Sequence, residues 1–310
     1  MFKLIVLLTL CTYSLQAKWG EIKTIHRELS TSGWNEPWLS SYKHEDIAVL
    51  DLLKTLAKSP SGRNIIARSN KKARHLNKKL SELIHIGDHS ITDTTLVRRF
   101  SAAKADEVKY ESRSEVYINR SLSKKDALLD LAHELTHFSS REAFNPYQQS
   151  FGLKEFVQNT VEGKGGEVEA YLVECQVYFE LFGHERRRNQ KCHLVIDQES
   201  GKLSAFKGKQ QFYRLGDHYP DFRTHVKKHD LSHQDFTAMS GEEAIFISSA
   251  YGLPYPLAAV LEYESIMTKV CDNDEKRLSY LVGKRSPASF DTYQSKVTEH
   301  KRRCAKFTQR

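Results

Sequence analysis

Apolar residues recur at helical spacing along most of the chain and alternate only briefly, so the pattern predicts a mainly helical protein with a small sheet. Ile47, Leu50, Leu53, Leu56 and Ala57 mark an amphipathic helix over 45–58, which Ser59-Pro60-Ser61-Gly62 ends or interrupts. A second helix is predicted over 64–86, with Ile65, Ile66, Leu76, Leu80 and Leu83 as its apolar positions. Glu115-Val-Tyr-Ile-Asn119 alternates weakly and reads as a short strand. Ser123 and Asp126 then fit an N-cap with an acidic partner three residues on, ahead of a strongly apolar helix carrying Leu128, Leu129, Leu131, Ala132 and Leu135.

The downstream pattern is more broken. Asn145-Pro146-Tyr147 reads as a turn, 153–161 as a helix, and Gly165-Gly166 as the start of another. A small hairpin is predicted within 192–206 around Glu199-Ser-Gly201. Ser240-Gly-Glu-Glu243 is expected to open a helix through Ala250, and Gly252-Leu-Pro-Tyr-Pro256 to break the pattern before an apolar helix around 257–267. The charged end, through Lys301-Arg-Arg303, is read as partly helical. Residues 19–41 hold all three tryptophans among turn formers and read as an irregular packed arm. No repeat or long linker divides the chain, so the expected architecture is α+β: a mostly helical core with a small sheet and helical flanks.

Composition narrows this further. With 310 residues, 39% of them hydrophobic, the chain can bury a substantial core, which argues against a disordered chain or a disulfide miniprotein. The formal charge of +8 is moderate for this length. Seven basic residues fall between Arg63 and Lys79, but no aromatics interleave with them, so they read as a solvated face and no nucleic-acid partner is expected. Lys3, the apolar run Leu4 to Leu10 and Ala17 read as a secretory signal over 1–17. That run is shorter than the roughly 20 residues of a membrane span, so the expectation is export to the periplasm or beyond without stable transmembrane association. Cys175, Cys192, Cys271 and Cys304 then permit two disulfides in any of three pairings.

The clearest chemical signal is His133-Glu134-Leu135-Thr136-His137 on the predicted helix that follows the strand. Residues at i and i+4 share a helix face, so both imidazoles can reach one metal ion while Glu134 lies beside it. This motif in this setting resembles the zincin metallopeptidases. The metzincin extension fails, since Ser140 and Ala143 stand where a glycine and a third histidine would be needed. Gly165-Gly166-Glu167-Val168-Glu169-Ala170-Tyr171 instead resembles the gluzincin second helix, over a matched region of roughly 115–174.

The resemblance implies one zinc ion held by His133, His137 and Glu167, with Glu134 as general base. Glu162 and Glu169 remain alternative third ligands, although Glu169 falls on a different helix face. Tyr171 stands where that branch often places an aspartate that orients a zinc-binding histidine, which leaves the orienting group open. The resemblance also implies that 115–119 is the sheet edge along which an extended substrate lies. It further calls for an oxyanion-stabilising histidine or tyrosine downstream, for which His218, Tyr219, His225, His229 and His233 are the candidates.

These readings divide the chain into a signal (1–17), an N-terminal helical region (18–100), a zincin-like core (101–184) and a mixed, mainly helical region (185–310). The expected activity is zinc-dependent hydrolysis of a protein or peptide substrate. A noncatalytic zinc-stabilised interaction module and an amidase acting on a cell-wall component are the alternatives.

Overall fold

The computed structural model describes residues 33–101, 104–148, 151–182, 190–236, 239–282 and 287–307. The signal segment and residues 19–32 of the predicted tryptophan-bearing arm lie outside the described residues.

Helix α1 (Glu45–Leu56) buries Ala48, Val49, Leu52 and Leu56. Ser59 separates it from α2 (Pro60–His75): its Oγ accepts from Gly62 N, and proline opens the helix, where its missing N–H costs nothing. Glu180 accepts from Ser61 N, Ser61 Oγ and Ser59 Oγ, which fastens this junction to a distant helix. The second helix does not run to residue 86 as its spacing predicts. Lys78 N bonds back to Ala73 O, and Asn77 takes a left-handed φ of 55°, which together stop it. Leu80 and Leu83 then belong to a buried turn, and β1 (Ile84–Gly87) follows.

The sheet has three strands in the order β1-β3-β2. β2 (Ile91–Ser101) pairs antiparallel with β3 (Lys104–Asn119), placing Thr92 opposite Val116, while β1 runs parallel to β3 with Ile84 opposite Val116. The predicted strand over 115–119 is therefore the end of a 16-residue central strand with a neighbour on each side, and it is not the exposed edge. The edge strands are β1 and β2, and the mixture of threonines, arginines and Asp93 in β2 carries little hydrophobic alternation.

Helix α3 (Lys124–Ser140) packs on this sheet. Its Ala127, Leu128, Leu129, Leu131, Ala132, Leu135 and Phe138 are fully buried, so apolar neighbours surround it on most sides. Trp38 locks the strand-to-helix turn, donating its indole N–H to Asn119 O at 2.9 Å and its main-chain N–H to Leu122 O at 3.1 Å.

The chain continues through α4 (Leu153–Val161), α5 (Glu167–Leu181), α6 (Gln190–His193), α7 (Ala205–Phe212), α8 (Tyr219–Lys228), α9 (Tyr255–Val282) and α10 (Pro287–Cys304). Helix α5 stands between two hydrophobic clusters. Val177 and Tyr178 join the one built from α1, α2, the sheet and α3, whereas Val168, Tyr171 and Cys175 join the one built with α4, α7, α8 and α9. Two disulfides, Cys175–Cys192 and Cys271–Cys304, select one of the three pairings.

Two predicted elements change character. The hairpin shrinks to the single bridge Ile196–Leu203, because Ala205 and Phe206 already start α7 behind the Ser204 cap. Residues 240–250 form no helix. Leu215 N donates to Ser240 O, Gly216 N to Glu242 O and Ser240 N to Tyr213 O, so the backbone groups a helix would use are paired with another segment. The helix begins instead at Tyr255 and runs to Val282.

The cap of α3 gives a direct stability test. Ser123 Oγ accepts from Asp126 N at 3.1 Å and donates to Asp126 Oδ2 at 2.9 Å. Ser123→Ala should cost about 1 kcal/mol, read as a lowered urea midpoint at constant slope. An unchanged midpoint would show that the sheet and Trp38 alone set this helix start.

Candidate metal centre

The motif residues sit in the second half of α3, where burial on most sides leaves few polar groups to compete for them. His133 and His137 stand one turn apart with ring centroids 4.7 Å from each other. Glu167, the first residue of α5, brings its Oε2 to 3.3 Å from His133 Nε2 and 3.4 Å from His137 Nε2. Among the described residues these three form the one group of such side chains whose ligand atoms all lie within 4.8 Å of one another.

Gly165 makes this meeting possible. Its φ is +67°, and a Cβ there would lie 2.6 Å from Arg141 N and 2.9 Å from Ser140 Cβ. The loop before α5 can therefore rest against the end of α3 only as glycine. Its carbonyl then accepts from His137 Nδ1 at 2.7 Å and from Arg141 Nε at 3.2 Å. Arg141 also donates to Thr160 O at 3.2 Å and to Glu167 Oε1 at 3.4 Å, holding the carboxylate by the oxygen that does not face the imidazoles.

The group that orients His133 is Glu174, whose Oε2 lies 3.3 Å from His133 Nδ1. Each imidazole thus has an acceptor at Nδ1, which turns the Nε2 lone pairs toward Glu167 and the space between them. Two nitrogens and one carboxylate oxygen, each fixed from behind, match the donor set that a tetrahedral zinc site takes from protein. Glu174 is seven residues past Glu167 and Tyr171 is four; both fall on the inward face of α5, and the longer reach of glutamate from the next turn supplies what Tyr171 does not. Tyr171 packs its ring on Phe212 and Phe246.

The other third-ligand candidates are engaged elsewhere. Glu162 pairs with Lys209 Nζ and accepts from Tyr213 Oη at 3.1 Å. Glu169 accepts from Gly165 N at 2.7 Å.

The electrostatics are those of a cluster wanting a cation. Burial alone would push His133 down, but hydrogen bonds to Glu167 and Glu174, with the nearby charge of Glu134, hold it well above its ordinary value. Burial would push Glu167 up, yet His137, the hydrogen bonds from both histidines and Arg141 hold it well below. Glu134 is buried, and its Oε2 lies 2.8 Å from Thr92 Oγ1, which is equally close to the Glu134 main-chain oxygen. The edge strand β2 therefore runs directly past the motif glutamate.

None of the five downstream candidates for oxyanion stabilisation joins the cluster. His225 Nδ1 and His229 Nε2 pair with Glu264, at 3.2 and 3.1 Å. His218 lies 3.8 Å from Asp221, and Tyr219 packs against His233. A further phenol, Tyr255, which the Gly252-Leu-Pro-Tyr-Pro256 break sets at the first position of α9, packs its ring on Phe212 and feels the charges of the cluster. Burial, then the charges of Glu167, Glu134 and Glu174, push it well above its ordinary value, so it remains a neutral O–H donor. The sequence signal for it is that break, which marks a helix start but carries no chemistry of its own. Glu262, two turns along α9 on the same face, is pushed up by burial; Arg141 opposes this and Glu167 adds to it.

Comparison with protein-family models, with curated proteins and with solved structures finds no match. The class therefore rests on the site itself: His133-Glu134-x-x-His137 with Glu167 is a gluzincin-like metal-binding arrangement in an α+β core, the site of a metal-dependent hydrolase.

Two outcomes follow from the geometry. Glu174→Ala should weaken metal binding about 10- to 100-fold in a competition titration, whereas Tyr171→Phe should leave it unchanged. The opposite ranking would remove Glu174 from the site. Because metal must displace a proton that Glu167 and Glu174 favour on His133, binding at pH 7 should release protons, read as a binding enthalpy that varies with the ionisation enthalpy of the buffer.

Proposed function

We propose that the protein is an exported zinc-dependent metallopeptidase that hydrolyses peptide bonds. The observation that carries this reading is the convergence of His133, His137 and Glu167 beside a buried Glu134 that touches the edge strand β2. When bound by these three side chains, zinc supplies Lewis acidity toward a carbonyl oxygen and lowers the pKa of water toward about 7.

The chain's own groups do the rest. Glu134 takes the proton of the attacking water at its carboxylate and delivers it to the departing amine nitrogen, and Thr92 holds the glutamate's Oε2 in place. The Tyr255 hydroxyl, kept protonated by its surroundings, donates to the oxygen on which negative charge develops. The unpaired edge of β2 offers main-chain donors and acceptors to an extended peptide. No serine or cysteine nucleophile is required.

Export is supported by the leader-like segment and by the two disulfides, which persist in oxidising compartments. Among the described residues no helix is long and apolar enough to cross a membrane.

With a denatured protein as substrate, Glu134→Gln should keep its metal and lose hydrolysis by about 10²-fold or more. Tyr255→Phe should lower kcat by about 10²-fold with little change in KM. A metal-loaded Glu134→Gln protein with undiminished turnover would contradict the mechanism, and failure of the metal-loaded wild type to cut any peptide would contradict the activity.

A further inference from the structure

A cavity of about 330 Å³ opens at the carboxyl end of α3, and Arg141 both lines it and touches the metal ligand Glu167 at 3.4 Å. Its volume is at the lower end of the range of ligand pockets, about 300–1,000 Å³, which suits a single large side chain better than a whole small molecule. Its link to the metal cluster runs through Arg141, which lines the cavity and holds Glu167 from the side away from the imidazoles.

Three phenylalanines give the cavity its character. Phe144 and Phe156 have ring centroids 4.7 Å apart, Phe151 and Phe156 5.6 Å, and Phe144 and Phe151 6.2 Å, all tilted or edge-to-face. Phe156 is buried and Phe151 stacks on Tyr263 of α9 at 5.3 Å, so the cluster is anchored in the core. Phe144 and Phe151 stay only half-buried, leaving aromatic surface turned to an open space that no side chain among the described residues fills. A further ring entering there completes the tilted packing that the three have begun, and an aliphatic chain gains only the contact area.

Charge does not select the occupant. The lining carries two cations, Arg141 and Lys164, and two carboxylates, Glu142 and Glu155. Arg141 is already committed to Gly165 O, Thr160 O and Glu167. Amides do supply polarity, since Asn145 and Asn159 also line the space. An aromatic lining accompanied by amides matches a ring that carries a hydroxyl.

The geometry points to this cavity as the pocket that seats an aromatic side chain of the substrate, tyrosine above all, beside the bond held at the metal cluster. This specificity rests on the peptidase reading for its purpose but on the three phenylalanines and the amides for its chemistry.

The test separates the two. Zinc-loaded full-length Glu134→Gln protein is titrated with the N-acetyl amides of tyrosine, phenylalanine, leucine and lysine, followed by saturation-transfer NMR. Tyrosine should bind tightest, with leucine at least about threefold weaker and lysine weaker still, the margin that an aromatic contact provides. Adding Phe144→Ala should remove the tyrosine advantage over leucine, and Asn159→Ala, on an exposed position, should narrow the gap between tyrosine and phenylalanine. Equal affinity for leucine and tyrosine, or a tyrosine advantage untouched by Phe144→Ala, would overturn the proposal. Cleavage-site mapping of the wild type on a random peptide library completes the separation. Aromatic residues should flank the cut bond, and cutting without that bias overturns the pocket. A wild type that cuts nothing while the binding preference persists overturns the peptidase reading and leaves the pocket standing.

Discussion

The close approach of the Gly165 loop to the end of α3 is the constraint on which the site depends. If the loop stood farther off, the Gly165 carbonyl would not reach His137 Nδ1 at 2.7 Å, Arg141 would lose one of its acceptors, and Glu167 would start α5 too far from the imidazoles to meet both. The left-handed φ and the 2.6 Å clearance that a Cβ would violate make this a matter of backbone geometry before any question of ligand chemistry. From that one contact follow the tautomer of His137, the orientation of Glu167 and the placing of Glu174 behind His133.

Such an approach needs rigid supports on both sides. Helix α3 is immobilised by apolar residues on most of its surface, and α5 is clasped between two hydrophobic clusters. The Cys175–Cys192 disulfide ties α5 to the chain beyond it, and Glu180 ties its far end to the start of α2. A site that buries Glu134 and Glu167 collects like charges in a low-dielectric place, which costs stability unless a cation or hydrogen-bond donors compensate. Arg141, Thr92 and the two histidines compensate in part, and the metal ion that the cluster fits would supply the remainder.

Much of this was legible in the sequence because it depends on local spacing. Helical periodicity over 124–140, the i and i+4 histidines, the paired glycines and Glu167 at the following helix start are all short-range signals, and the helix and the cluster form where they indicate. What could not be read depends on pairing between distant segments. Strand β2 has almost no hydrophobic alternation and is defined by its partner β3. Leu80 and Leu83 fit a helical stripe until Asn77 ends the helix. The segment 240–250 has a good helical cap but gives its backbone hydrogen bonds to 213–216. Glu174 and Tyr255 escaped for the same reason: the first serves a histidine 41 residues earlier, and the second feels the charges of Glu134, Glu167 and Glu174, all at least 81 residues earlier in the chain.

The central claim is that His133, His137 and Glu167 bind one metal ion, and elemental analysis tests it most directly. The oxidatively folded protein, purified without added zinc or a metal-binding tag, should carry about one equivalent of tightly held zinc per chain, and His133→Ala should carry almost none. Wild-type protein that holds no metal and takes up none on reconstitution would contradict the account.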